Sequence, residues 1–328
     1  MIITQTPLRI SLAGGGTDLA GYYRQAGGAV VSSAIDKYIY VILNQRFDDK
    51  IYISYSRKEI VDSVDEIKHE LVREAMRMAG VSKGVEIAIM ADIPSEGSGL
   101  GSSSSLTVGL LNAFYAYRGL QVNAEQLARE ACQVEIDICK KPIGKQDQYI
   151  AAYGGLRHIQ FLPDDSVVVE DLPIGKGRQE LSSKLLLFYT NVTRQSEGIL
   201  REQSQKNSEN RSRLDDIKNL AERLRHALMD GVYDEVGRVL EENWRLKQDL
   251  ASGISSGKID EMVQCAMEGG ALGCKISGAG GGGFLLAYCV TEKQAALRQA
   301  MRSYREMPFF LDRCGSKVIF SVESYEWR

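Results

Sequence analysis

Three short glycine clusters carry the strongest chemical signal in this chain of 328 residues: Gly14-Gly15-Gly16, Gly97-Ser98-Gly99-Leu100-Gly101, and Gly278-Ala279-Gly280-Gly281-Gly282-Gly283. The middle cluster follows a β-rich run, passes Pro94, and opens an apolar helix through Ser102-Ser103-Ser104-Ser105. Glycines let backbone N–H groups turn inward, and a helix start adds unsatisfied donors at a positive dipole end. That combination makes an anion site suited to a polyphosphate, with serine hydroxyls placed to bond phosphate oxygens or to reach Mg²⁺. The Gly-Lys-Ser/Thr ending of a Walker loop is absent. A Gly/Ser linker is the competing reading, and the apolar helix that follows directly weighs against it.

The third cluster formally satisfies G-x-G-x-x-G, but Phe284-Leu285-Leu286-Ala287-Tyr288 reads as a strand where a dinucleotide fingerprint requires a helix. A tight β-turn and a loop approaching a ligand both remain open there. In the first cluster, Arg9 on a strand, then Gly15, Gly16 and Thr17, then Asp18, could line a polar pocket; taken alone, Asp18 reads more readily as a helix N-cap.

The elements that must position these residues follow from periodicity. Val30 to Ile35, Tyr38 to Leu43, Ile51 to Tyr55 and Val85 to Met90 read as strands, and Val64 to Ala79 as one helix. An apolar helix spans about Leu106 to Tyr117, and Asn123 is expected to cap the next one. Two short strands follow near Leu156 to Phe161 and Ser166 to Val169, and Gly175-Lys176-Gly177 reads as a connection. From about Gln195 to Leu250 the chain turns helical and charged. Leu214, Ile217, Leu220, Leu224 and Leu228 form one stripe, and Val232, Val236, Val239 and Leu250 contribute to another. A last unit reads helix (Ile259 to Glu268), Gly-rich turn, strand, helix, strand (Lys317 to Val322). The composition shift places a domain boundary near residue 180, giving domains 1–180 and 181–328.

Hydrophobic residues at 44% and charged residues at 25% exclude a disordered or fibrous chain. With 40 basic against 43 acidic residues, no global field draws in nucleic acid or an anionic membrane. Only 3 histidines are present, too few for an imidazole-rich metal site, and His69, His158 and His226 receive no function. The 6 cysteines contain no Cys-x-x-Cys pair and are read as reduced packing residues. No basic segment leads into an apolar stretch at the start, so no signal peptide is read, and a cytoplasmic location is expected.

Together and in this order, the three clusters resemble the motifs of the GHMP kinase superfamily. Pro94-Ser95-Glu96-Gly97-Ser98-Gly99-Leu100-Gly101-Ser102-Ser103-Ser104-Ser105 is similar to that family's phosphate loop, P-x-x-x-G-L-G-S-S-A-A, departing in the final Ser pair and in the Gly-Ser character before Leu100. Lys275-Ile276-Ser277-Gly278-Ala279-Gly280-Gly281-Gly282 is similar to the third motif. Leu8 to Asp18, together with Gly144-Lys145-Gln146-Asp147-Gln148-Tyr149 and Tyr153-Gly154-Gly155, resembles the heptose 7-phosphate kinase branch, and fucokinases share much of this look. The resemblance implies an α+β, two-domain fold: an N-terminal domain like ribosomal protein S5 domain 2 and a ferredoxin-like C-terminal domain.

It further implies ATP and Mg²⁺ as cofactors and a small sugar phosphate as substrate, with no nucleic-acid or membrane partner. Gly97, Ser98, Gly99, Leu100, Gly101, Ser102, Ser103 and Ser104 would hold the nucleotide. Glu135 and Ser103 would hold the metal, with Asp137 the nearest substitute for Glu135. Asp147 would act on the acceptor hydroxyl beside Arg9, and Asp18 would bond sugar hydroxyls alongside Gly15, Gly16, Thr17, Gly278, Ala279 and Gly280. Arg194 is the candidate for the sugar's distal phosphate, against the alternative of a surface arginine at a helix start. The expected reaction is phosphorylation of the anomeric hydroxyl of a heptose 7-phosphate. The alternatives are a kinase of an unphosphorylated sugar and a non-catalytic sensor of the same fold.

Overall fold

In a computed structural model, the described residues are 1–94, 97–192, 196–206 and 209–322; Arg194 lies outside them. The strands are β1 (Ile2–Ala13), β2 (Gly28–Gln45), β3 (Ile51–Ser54), β4 (Lys58–Val61), β5 (Val85–Ala91), β6 (Leu156–Phe161), β7 (Val167–Asp171), β8 (Leu185–Tyr189), β9 (Gly273–Ile276), β10 (Phe284–Tyr288), β11 (Arg305–Met307) and β12 (Lys317–Ser321). They form two sheets. The first runs β12-β1-β2-β5-β3-β4, with β6 on β2 and β7 on β6. Its spine is β2, one strand where two were expected. The register slips opposite Pro7 and Leu8, whose partners are Tyr38 and Ile35, so Asp36 and Lys37 bulge without breaking the strand. One half of β2 pairs β6 and the other half pairs β5.

The second sheet has the order β11-β8-β10-β9, all antiparallel. Numbered from its first strand the order is 4-1-3-2, with helices between the first and second strands and between the third and fourth. That is the β-α-β-β-α-β plan of a ferredoxin-like unit. β12 then leaves this unit and pairs antiparallel with β1 in the first sheet. The chain therefore returns to its starting sheet after residue 307, which a single cut near residue 180 does not describe.

The helices are α1 (Ala20–Ala26), α2 (Glu70–Ala79), α3 (Ser102–Tyr117), α4 (Ala124–Cys132), α5 (Gln146–Tyr153), α6 (Gly177–Lys184), α7 (Ser196–Gln205), α8 (Arg211–Met229), α9 (Glu235–Gln248), α10 (Gly257–Glu268) and α11 (Gln294–Ala300). None among the described residues is long and apolar enough to cross a membrane. The helix expected from Val64 starts only at Glu70. Val64–Glu66 make only a short 3₁₀ turn, and Glu59 accepts the backbone N–H groups of Lys68 and His69 at 2.7 and 3.2 Å, which holds Ile67 to His69 out of the helix. Asn123 caps α4 as expected, accepting from Gln126 N at 2.8 Å. The Gly175 to Gly177 stretch is not all connection, because Gly177 already opens α6.

Apolar α3 is buried along most of its length, so its N-terminus is fixed by the core rather than by a capping side chain. The α8 stripe from Leu214 to Leu228 is buried as expected. Val232 instead lies in the α8–α9 turn and is half exposed; its N–H bonds Ala227 O at 2.8 Å.

Candidate active site

A cleft of about 210 Å³ collects residues from β1, the loop before α3, the start of α5, α9 and the β9–β10 connection. Arg9 on β1 is only 4% exposed, and its Nε and Nη2 each donate to Asp147, at the start of α5, at 2.7 Å. This two-pronged pair fixes the carboxylate plane. The third arm of Arg9 donates to the carbonyl of Gly99, and its backbone N–H donates to Leu100 O at 3.0 Å. One side chain thus ties the acidic group to the glycine loop.

The loop itself needs its glycines. Gly97, Gly99 and Gly101 take φ of 69°, 72° and 80°, in the left-handed region where a Cβ is strained. At Gly99 a Cβ would also meet Ser277 O at 2.4 Å, because the third cluster packs against the second. The third cluster is the turn between antiparallel β9 and β10, and it packs against the second cluster.

Glu135 is fully buried and accepts from Ser103 Oγ at 2.7 Å and Gln148 Nε2 at 2.6 Å. It projects from a π-helical segment, Gln133–Ile138, that continues α4. The wider winding brings Glu135 inward beside Ser103, while Asp137 is exposed. Burial pushes the Glu135 carboxyl up, against the hydrogen bonds from Ser103, Ser104 and Gln148, and the nearby Asp147 adds to the rise. Asp18 is raised by burial and by Asp147, although it accepts from Gly16 N at 2.9 Å and Gln146 N at 3.2 Å. Both carboxylates are held in a setting that favours a neighbouring cation.

Most expected site residues meet in this cleft: Gly15, Gly16, Asp18, Gly97, Ser98, Gly99, Gly101, Ser102, Ser103, Ser104, Arg9, Asp147, Gly278 and Ala279 line it. Three do not. The Leu100 side chain is buried in the core and anchors the loop rather than facing the cleft. Thr17 is buried, and its hydroxyl bonds Gly14 O at 2.8 Å and Ala29 O at 3.0 Å, bracing the first cluster. Gly280 packs against Ile254.

Two buried lysines line the cleft without having been expected. Lys275 on β9 has Asn243 Oδ1 at 3.3 Å as its partner, and Lys247 on α9 donates to Gly278 O. Lysine before Ile276 in a strand buried at every position was one available signal. For Lys247 the signal was spacing: Leu240, Asn243, Trp244 and Lys247 share the buried face of α9, so this charge belongs to the inner stripe. Burial and then Arg9 lower Lys247 to about 8, against the pull of Asp18 and Asp147.

A folded value below the ordinary lysine range means that the folded chain holds fewer protons than the unfolded one between about pH 8 and 10.5. Stability contributed by this group therefore rises with pH across that window, while the cleft loses a positive charge. The KM for an anionic substrate is expected to climb above pH 8. Lys247→Met should raise KM about tenfold at pH 7 and flatten the alkaline rise, as read in a pH series of initial rates.

Gly144 carries a further constraint. A Cβ there would fall 1.9 Å from Asp18 Oδ2, just before Gln146 N, which holds that same oxygen. Gly144→Ala must displace Asp18 or the start of α5, and displacements near 1 Å cost about 10²-fold in rate. A loss of that order in kcat/KM, with α-helical content unchanged by circular dichroism, is the expected result.

An acid–guanidinium pair beside a glycine-serine loop at a helix start has the parts that phosphoryl transfer requires: backbone donors that can cradle phosphates, and a carboxylate beside them. Residues 60–155 match the GHMP kinases N terminal domain, and residues 214–306 match the GHMP kinases C terminal domain. The D-glycero-alpha-D-manno-heptose 7-phosphate kinase of Campylobacter jejuni is 31% identical over 319 residues, spanning 92% of this chain and 93% of that one. The L-fucokinase/L-fucose-1-P guanylyltransferase of Bacteroides fragilis is 29% identical over 90% of this chain, but only 35% of its own length is matched. Among solved structures, a D-glycero-D-manno-heptose 1-phosphate kinase from Bacteroides thetaiotaomicron superposes with a TM-score of 0.82 at 26% identity, covering 99% of this chain and 100% of that one. The chain belongs to the GHMP kinase family and has its two-domain fold. It is an ATP-dependent phosphotransferase with an alcohol group as acceptor.

Proposed function

We propose that this kinase phosphorylates the anomeric hydroxyl of D-glycero-D-manno-heptose 7-phosphate, giving the 1,7-bisphosphate for nucleotide-activated heptose synthesis. The observation that carries the reading is the likeness, over 93% of its length, to a heptose 7-phosphate kinase. The cleft supports it: Arg9, Lys141 and Lys247 bring positive charge to its lining, as suits a phosphorylated acceptor beside ATP.

The glycines and Ser102 to Ser104 hold the ATP phosphates through backbone and hydroxyl donors. Glu135 and Ser103 suit Mg²⁺, which takes hard oxygen ligands from one or two carboxylates and from substrate phosphates. Among the described residues no cluster of three or more His, Cys, Asp or Glu competes for a metal. When bound, the ion would neutralise charge on the phosphates. Asp147 orients the anomeric hydroxyl and takes its proton, Arg9 keeps that carboxylate in one plane, and Asp18 bonds the sugar's other hydroxyls. Arg194 is kept as a candidate for the distal phosphate.

Phosphoryl transfer from ATP across mannose-, fucose- and heptose-series sugars, with product position read by phosphorus NMR, tests the assignment. The expected result is a new anomeric phosphate and a kcat/KM for heptose 7-phosphate at least about 10²-fold above that for free heptose or fucose. The likeness to a fucokinase favours the competing reading, so equal or better rates with fucose would overturn the heptose assignment. ADP release with none of these sugars would favour a sensor.

A further inference from the structure

A second cavity, of about 600 Å³, opens away from the glycine clusters, between α6 and the segment that joins β11 to β12. Lys176 and Arg178 line one side, and Phe310 and Arg313 the other. None of these three cations makes an ion pair among the described residues, although Arg157, close by, is paired with Asp171 at 3.1 Å. Arg178 is the telling member. Its Nε and Nη1 are buried from solvent and have no hydrogen-bond partner. Burial, and then the charge of Arg313, disfavour its protonated form, while Asp171 and Asp312 offset part of that cost. A guanidinium does not give up its proton in a protein, so part of that cost stands, with the exposed Arg313 as a second cation on the same cavity. Buried donors in folded proteins are nearly always satisfied, so two free guanidinium N–H groups beside a cavity call for water, an ion or a ligand as partner.

The walls are fixed rather than loose. Leu311 N donates to Ser182 Oγ of α6 at 2.9 Å. Phe310 N donates to Asp36 Oδ1 at 2.8 Å, and Asp312 N to Ala34 O at 2.9 Å, both on β2. The cavity is therefore pre-formed, as small-molecule sites usually are, and its volume falls within their ordinary range. At its mouth Phe310 is 64% exposed, a flat apolar face beside three donors.

We infer that this cavity is a second anion site, built to hold the diphosphate group of a small metabolite between Arg178, Arg313 and Lys176. Three cations around one void match a group carrying two to three negative charges better than a single carboxylate does. Guanidinium donors suit the paired oxygens of phosphates, and Phe310 leaves a surface for the organic part. The site shares no lining residue with the catalytic cleft. The segment that forms one wall continues to Ser316, whose N–H bonds Ala151 O at 2.9 Å in α5, the helix that begins beside Asp147.

The test is hydrogen–deuterium exchange on the full chain titrated with inorganic pyrophosphate at constant ionic strength. The method reports residues 97–104 and residues 175–182 with 309–316 separately. Wild type is expected to show slowed exchange in both regions. Arg178→Gln combined with Arg313→Gln should need at least tenfold more pyrophosphate to protect 175–182 and 309–316, with 97–104 protected as before. Arg178→Lys, which keeps the charge, should retain part of the protection, and an unchanged melting temperature would show that the variants are folded. No protection of 309–316 in wild type at millimolar pyrophosphate, or equal protection in the double variant, would overturn the site.

Discussion

Asp147→Ala is expected to lower kcat by at least about 10³-fold while leaving ATP affinity within a few-fold of wild type. Both carboxylate oxygens are held by Arg9, yet each oxygen keeps further lone pairs, and the side chain remains 22% exposed towards the cleft. An incoming hydroxyl can therefore be received without breaking the pair. With Asp147 removed, Arg9 keeps only the Gly99 carbonyl, and a charge 4% exposed loses its counter-ion. Removing one member of such a pair costs about 3–5 kcal/mol, so the melting temperature should fall as well. Asp147→Asn separates the two effects: it keeps the shape, restores part of the stability, and still lacks the negative oxygen that orients the acceptor. The check pairs single-turnover phosphoryl transfer with calorimetric ATP titration. Near-normal turnover in either variant would remove Asp147 as the group that acts on the hydroxyl.

This pairing also shows what could be read from the chain and what could not. Gly97, Gly99 and Gly101 announced a phosphate loop because an apolar helix followed them, and α3 is buried where that reading put it. Arg9 and Asp147, 138 residues apart, have nothing local that joins them. Taken alone Asp147 reads as a turn residue, and only the family resemblance placed it beside Arg9. Lys247 was hidden by its neighbours. In a helix of mixed charge, one buried lysine looks like the solvated ones until the inner stripe is counted. Asp18 and Gly144 were both noted, but their contact is a matter of backbone approach that no periodicity reports. The tie of β12 to β1 is likewise non-local: its five residues read as a strand, and nothing in them says which sheet they join. Local pattern found the elements; long-range packing decided which charges face one another.

Glu135→Gln is expected to fold normally and yet raise the Mg²⁺ concentration for half-maximal rate, with kcat down about 10²-fold. An amide in place of the buried carboxylate loses a charge and turns one acceptor into a donor. That donor would face Gln148 Nε2, the present partner at 2.6 Å. Gln148 can turn its amide over, however, because its Oε1 is buried with no hydrogen-bond partner and would then accept. The two amides can thus meet, but Gln148 Nε2 then takes the buried place where its Oε1 now has no partner, while Ser103 Oγ keeps an oxygen acceptor on the other side. Burial already disfavours the Glu135 charge, so neutralising it removes a folding cost that offsets the weakened hydrogen bonds, and the melting temperature without ligand should stay near that of wild type. A side chain kept only for packing would leave the Mg²⁺ dependence unchanged. One kept for the metal would lose the extra thermal stabilisation that Mg²⁺ adds to the ATP complex. Melting curves with ATP alone and with Mg²⁺ and ATP together, in both proteins, distinguish the two roles without recourse to turnover.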